Sequence, residues 1–103
     1  MSVEVIGEEL TLTLEDLCGQ CRLESQAVIE MVEVGILDPV GKGPEDWRFS
    51  GKSLYRIQAT LRLRQELELN LPGAALVLDL LEESRALRAE LECLKRQFFI
   101  SPD

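Results

Sequence analysis

Leu80, Ser84, Leu87, Leu91, Leu94 and Phe98 recur at alternating steps of four and three, the spacing that holds one apolar seam facing a partner helix. A single helix with this stripe cannot bury it alone, so the pattern constrains the fold to a helical domain with a protruding, interacting arm. The helix carrying it has a clear start. Asn70-Leu71-Pro72-Gly73 resets the chain, because proline is tolerated in the first turn of a helix and disfavoured inside it. A helix from Pro72 to Phe98 is about 40 Å long, more than the rest of a 103-residue chain can cover.

Assigning Leu80, Leu87 and Leu94 to heptad position d and Ser84, Leu91 and Phe98 to a places Glu83 and Glu90 at g and Arg88 and Lys95 at e. Parallel pairing matches g acids with e bases, whereas antiparallel pairing sets e against e and g against g. Exposed pairs contribute only about 0 to 1 kcal/mol, so the direction stays open. The six a and d residues span less than three heptads.

Upstream, Leu10-Thr11-Leu12 alternates as a short strand, and Thr13 with Asp16 offers a hydroxyl cap with an acid three residues on, which starts a helix at Leu14. Gly19 and Gln20 interrupt it. Ser25 is placed to cap a second helix running to Met31 or Val34, with Val28, Ile29 and Val32 on one face, and Gly35 ends it. Ile36 to Pro39 is extended, Gly41, Gly43 and Pro44 mark a loop, and Trp47-Arg48-Phe49 reads as a wing whose aromatic residues are core. A third helix starts at Ser50 or Ser53 and ends near Leu69. Leu54, Ile57, Leu61 and Leu67 are expected inward, and Arg56, Arg62 and Arg64 elsewhere. Leu76 and Leu80 are expected to seal the fourth helix onto the third.

The chemistry for catalysis is missing from this alphabet. There is no His, no phosphate-cradling glycine motif and no nucleophile with a base beside it, so the chain is not expected to be an enzyme. Cys18 and Cys21 form a C-x-x-C, yet Cys93 is the one further thiol and a closed zinc site needs about four ligands. No metal or cofactor is expected, and the two thiols read as small apolar fillers at a helix end. Acidic Glu4, Glu8 and Glu9 stand where an export signal would be basic, and the longest apolar run, residues 74–78, is too short to span a bilayer. The expected location is the cytoplasm.

Charge is unevenly placed. Residues 1–40 hold nine acids against Arg22 alone, residues 41–64 hold six bases and two acids, and residues 65–103 hold eight acids and four bases. Net charges of −8, +4 and −4 give little footprint for a polyanion.

The order helix, turn, helix, wing resembles the winged-helix part of the MerR family. Leu12 to Leu17 stand at its start, Val34-Gly35-Ile36-Leu37-Asp38-Pro39 at its Gly-Leu-x-Pro-like turn and Trp47-Arg48-Phe49 at its wing. Arg62-Leu63-Arg64-x-Glu66-Leu67-x-Leu69-Asn70-x-Pro72-Gly73, followed by a Leu-rich helix, is similar to the CbpM family of small chaperone modulators. The fold class this implies is mainly α: a MerR-like winged helix-turn-helix domain over residues 1–71, then a C-terminal dimerisation and partner-binding helix over residues 72–103.

The resemblance implies a homodimer that binds the J-domain of the co-chaperone CbpA, blocks its engagement of a DnaK-type chaperone and opposes CbpA's DNA binding. The chaperone-contacting helix of such J-domains is basic, so the expected contacts are Glu66, Glu68, Asp79, Glu82 and Glu83, with Arg62 beside them. Arg62 and Arg64 also stand at pairing distance from Glu66 and Glu68 along one helix. The alternative is a MerR-like DNA-binding transcription regulator. Against it, the second helix carries Glu30 and Glu33 with Glu24 beside it, where a reader of the major groove needs basic or hydrogen-bonding groups. Trp47 also stands where the family's wing usually has Arg.

Overall fold

The computed structural model describes residues 3–6 and 9–98, with backbone alone for 3–6, 9 and 10. The expectations placed on residues 1, 2, 7, 8 and 99–103 lie outside the described residues. Chain order is β1 (Val3–Ile6), β2 (Glu9–Leu12), α1 (Leu14–Cys21), α2 (Ser25–Glu33), β3 (Phe49–Ser50), α3 (Lys52–Leu67) and α4 (Leu71–Phe98). The strands form one antiparallel sheet in the order β1-β2-β3, with Val3 opposite Leu12 and Leu12 opposite Phe49.

α1 starts where the sequence places it because the capping box closes. Thr13 Oγ1 accepts from the Asp16 N–H at 3.1 Å, and Asp16 Oδ2 accepts from the Thr13 N–H at 3.0 Å. Asp16 is buried, so this reciprocal pair is the local partner that lets a carboxylate sit against the core. Replacing Thr13 by Ala should therefore cost about 1 kcal/mol, read as a lowered urea midpoint at unchanged slope.

Gly19 and Gln20 do not interrupt α1, which runs on to Cys21 and is closed by Arg22 in the left-handed region at φ 56°. A mid-helix glycine costs only about 1 kcal/mol. Packing of Leu17, Cys18 and Cys21 on the core offsets it. α2 is capped at Glu24 with no side-chain hydrogen bond, so Ser25 is its first residue rather than its cap. Gly35 ends it at φ +87° as expected, and returns Ile36 and Leu37 to the core.

Val40 pairs with Arg48, and the loop between them needs Gly41 at φ +127°, where a Cβ would stand 2.7 Å from the Asp46 carbonyl oxygen. The wing aromatics pack edge to face, with Trp47 and Phe49 centroids 5.9 Å apart. Phe49 is fully buried and Trp47 half-buried.

α3 presents Ser53, Ile57 and Thr60 to the core, with Leu54, Ala59 and Leu63 beside them. Leu61 and Leu67 are not inward; they are 36% and 57% exposed. Around the helix, Leu61 lies about 70° from the centre of the face set by Ser53, Ile57 and Thr60, at its edge. Leu67 falls near that face but is the last residue of α3, a turn past Leu63, which still packs on the core. The helix stops at Leu67, earlier than Leu69, with Glu68 in the left-handed region at φ 52°.

Asn70 then starts α4, its Oδ1 accepting from the Gly73 N–H at 2.8 Å. Ala74, Ala75 and Leu78 form the buried face, and Leu71 packs beside them. Leu76 and Leu80, expected to seal α4 onto α3, are 61% and 55% exposed. Two alanines allow α3 to approach closely, so the larger leucines one step away are not needed for the seal.

The core unites Leu12, Leu17, Val28, Met31, Ile36, Leu37, Phe49, Ile57, Ala75 and Leu78. A compact chain of this length has a radius of gyration of about 13 Å. The observed 17.1 Å, with a long axis of 56 Å, reflects α4, whose residues 85–98 are all exposed.

Candidate partner-binding surfaces on the fourth helix

Arg56 fixes how α4 leaves the domain. Expected to project away from the core, it is instead drawn under α4, its side chain only 16% exposed. Its Nε donates to the Ile36 carbonyl, one Nη pairs with Glu82 and the other stands 3.5 Å from Asp79. One guanidinium fork thus ties the end of the α2 turn, α3 and α4 together, a geometry that a rigid planar donor set suits. Thr60, buried a turn later, donates its hydroxyl to the Arg56 carbonyl at 2.7 Å. One turn further along α4, Arg85 donates to the Tyr55 hydroxyl at 3.0 Å.

The expected carboxylates fall into two groups. Asp79, Glu82 and Glu83 share one flank of α4, between its packed face and its outer face. Glu82 and Asp79 keep 39% and 66% of their side chains exposed while holding Arg56. Glu66 and Glu68 stand exposed with Arg62 at the other end, where α3 turns into α4. Neither Arg62 nor Arg64 pairs with Glu66 or Glu68 among the described residues. Arg64 reaches the Leu69 carbonyl at 3.4 Å instead.

The apolar stripe lies on the face of α4 opposite the domain. Leu80, Leu87, Leu91, Leu94 and Phe98 are all exposed and Ser84 is half-buried. A shallow groove of about 380 Å³ runs along it between Leu80, Ser84, Leu87 and Leu91, edged by Glu83 and Arg88. Contiguous exposed leucine of this extent marks an interaction surface.

The surface that would meet DNA in a helix-turn-helix protein has a different character. Glu24, Ser25, Gln26, Glu30 and Glu33 are exposed along α2. Arg48 in the wing is half-buried and turned onto the Trp47 carbonyl. Burial, then the neighbouring Cys18, pushes the Cys21 thiol above its ordinary value, which keeps it protonated and apolar in behaviour. No helix of the described residues is long and apolar enough to cross a membrane.

The pattern of the MerR HTH family regulatory proteins matches residues 12–96, from the last residue of β2 into the final turn of α4. The chain is 41% identical over 86 residues to the chaperone modulatory protein CbpM of Pseudomonas putida, covering 84% of this chain and 85% of that protein. The same protein of Pseudomonas entomophila matches equally. That of Coxiella burnetii is 33% identical over 92 residues, covering 89% of this chain and 87% of its own.

The chain belongs to the CbpM family of MerR-like proteins.

The MerR-like match takes in the arm as well as the winged helix, because it extends through the turns that carry Leu87, Leu91 and Leu94. Within this chain the side chains that sequence reasoning missed are Arg56, Tyr55, Arg85 and Val77. Arg56 had one legible signal, its place beside Ile57 and four residues before buried Thr60. The Tyr55–Arg85 bond joins residues 30 apart and leaves no local trace. Val77 stands three residues ahead of Leu80, a step that continues the stripe backwards.

Proposed function

We propose that the protein is a homodimeric cytoplasmic modulator of a J-domain co-chaperone of the CbpA type, acting by binding the J-domain and occluding its engagement of a DnaK-type chaperone. The observation that carries this reading is the likeness to chaperone modulatory proteins across 84% of the chain. The charge layout supports it. A basic J-domain helix meets carboxylates on a rigid support at Asp79, Glu82 and Glu83, or at Glu66 and Glu68 with Arg62 alongside. The proposed dimer surface is Leu80, Ser84, Leu87, Leu91, Leu94 and Phe98. The proposed division of labour is a winged-helix domain over residues 1–71 and a dimerising, partner-binding helix over residues 72–103.

Occlusion by a carboxylate face steers encounter electrostatically, so binding weakens as salt rises. Calorimetric titration with the isolated J-domain of CbpA should give micromolar or tighter binding at low salt and several-fold weaker binding at about 0.3 M. Neutralising Glu66 and Glu68 together, or Asp79 and Glu82 as Asn and Gln, should weaken it by about tenfold for whichever group makes the contact. No loss from either pair would remove the acidic-face mechanism.

The match to MerR-type regulators favours a second reading, a DNA-binding transcription regulator. Three glutamates on and beside α2 weigh against it, since they would face phosphate. A salt-dependent mobility shift with duplex DNA, in the absence of J-domain binding, would establish that reading instead.

A further inference from the structure

Cys18 and Cys21, which no part of the chaperone reading uses, stand three residues apart on α1. That spacing leaves them about 60° apart around the helix axis with Cα atoms about 5 Å apart, inside the span of about 4.4 to 6.8 Å that a disulfide bridges. Both are half-buried and both pack against the core, so their side chains lean to the same side. Each thiol lies within the other's influence, since Cys18 adds to burial in raising the Cys21 thiol. The pair is also open to solvent. Gly19, Gln20 and Arg22 are exposed around it, and nothing lies within 4 Å of where a Cβ would stand on Gly19.

We propose that Cys18 and Cys21 form a reversible redox site: in the folded protein they close an intrahelical disulfide by exchange with a small-molecule disulfide of the glutathione class, and closure loosens the turn between α1 and α2. One cysteine thiolate attacks a sulfur of glutathione disulfide and releases one glutathione thiolate; the second attacks the mixed disulfide and releases the other. The two cysteine thiols lose two electrons and two protons, and glutathione disulfide becomes two glutathione thiols. In either order Cys21 acts once as a thiolate, so burial of its thiol makes closure slow at neutral pH and faster as pH rises.

Closure acts on the turn because of what Cys18 holds. Its carbonyl accepts the N–H groups of left-handed Arg22 and of Leu23, the latter at 3.1 Å, and these bonds lead the chain from α1 toward α2. Side chains three apart on a helix have Cβ atoms about 5 to 6 Å apart, whereas a disulfide needs about 3.8 Å, so the last turn of α1 must tighten by about 1.5 Å. The strain falls on those two bonds and on Leu23, which packs on the core. A loop this short constrains the unfolded chain least, so the strain dominates and the bridged fold is both less stable and more easily reduced.

The full chain carrying Cys93→Ala tests the site, with both thiols of the pair left in place because they pack on the core. After equilibration in native buffer with glutathione redox mixtures and quenching in acid, trypsin releases residues 1–22 as one peptide, Arg22 being the first basic residue. That peptide should be two hydrogens lighter and carry no glutathione. Half-oxidation of the folded chain should need an oxidised-to-reduced glutathione balance about tenfold more oxidising than the urea-unfolded chain needs, and the oxidised chain should unfold at a lower urea midpoint. A folded chain that stays reduced at a balance a thousandfold more oxidising (~10³), or that takes glutathione on its thiols without closing the bridge, overturns the site. Half-oxidation of the folded chain at the same or a less oxidising balance than the unfolded one overturns the effect on the turn.

Discussion

Replacing Arg56 by Met should unfold the protein at a distinctly lower urea concentration, with a loss of about 3 kcal/mol, the largest effect expected of any single charged side chain here. The methionine stem keeps most of the packing of the arginine stem. What is lost is the donor fork. The Ile36 carbonyl loses its side-chain donor, and Glu82 and Asp79 are left as like charges on adjacent turns. The asymmetry of such sites gives a second measurement. Adding Glu82→Leu to Arg56→Met should recover about half of the loss, because removing both partners of a half-buried pair is far milder than orphaning one. Arg56→Lys should recover little, since an ammonium cannot serve a carbonyl and two carboxylates through a planar fork.

Leu87→Glu combined with Leu91→Glu should convert a dimer into a monomer, raising the dissociation constant by about a thousandfold or more, as read by sedimentation over a range of concentrations. Two leucines per chain leave the centre of the seam, each representing about 2 kcal/mol of buried apolar surface. Four carboxylates would need to be desolvated in their place. The unfolding midpoint of the winged-helix domain itself should hardly move. Both residues are more than half exposed in the single chain and touch none of its core. A parallel loss of domain stability would mean that the stripe has an intramolecular role.

Elements governed by local chemistry were legible in the residues. Thr13 with Asp16 marked the start of α1, Gly35 the end of α2, and Asn70-Leu71-Pro72-Gly73 the start of α4 within a residue. The long helix and its outward stripe followed from periodicity alone. β1 was missed, although Val3, Val5 and Ile6 are β-branched, because four residues without their pairing partner carry little signal. The inner face of α3 was displaced for a related reason. Leucine was read as core at Leu61, Leu67, Leu76 and Leu80, whereas the α3–α4 contact uses Thr60, Ala74, Ala75 and a guanidinium. Small and polar residues fill a close helix–helix contact as well as leucine does, and only the crossing of the two helices decides which are needed. The carboxylates were found as a charge pattern, but the tie of Asp79 and Glu82 to Arg56 spans more than twenty residues and depends on that same crossing.

α4 is one unbroken helix from the Asn70 cap to Phe98, held at its base by Arg56 and free beyond Arg85. It behaves as a lever. With about 30 Å between Leu78 and Phe98, a tilt of about 5° at the base sweeps the tip sideways by about 2.6 Å, half the pitch of a helical turn. Whatever pulls on Asp79 or Glu82 competes with Arg56 for the fulcrum, so load at the acidic flank is felt as torque at the far end of the rod.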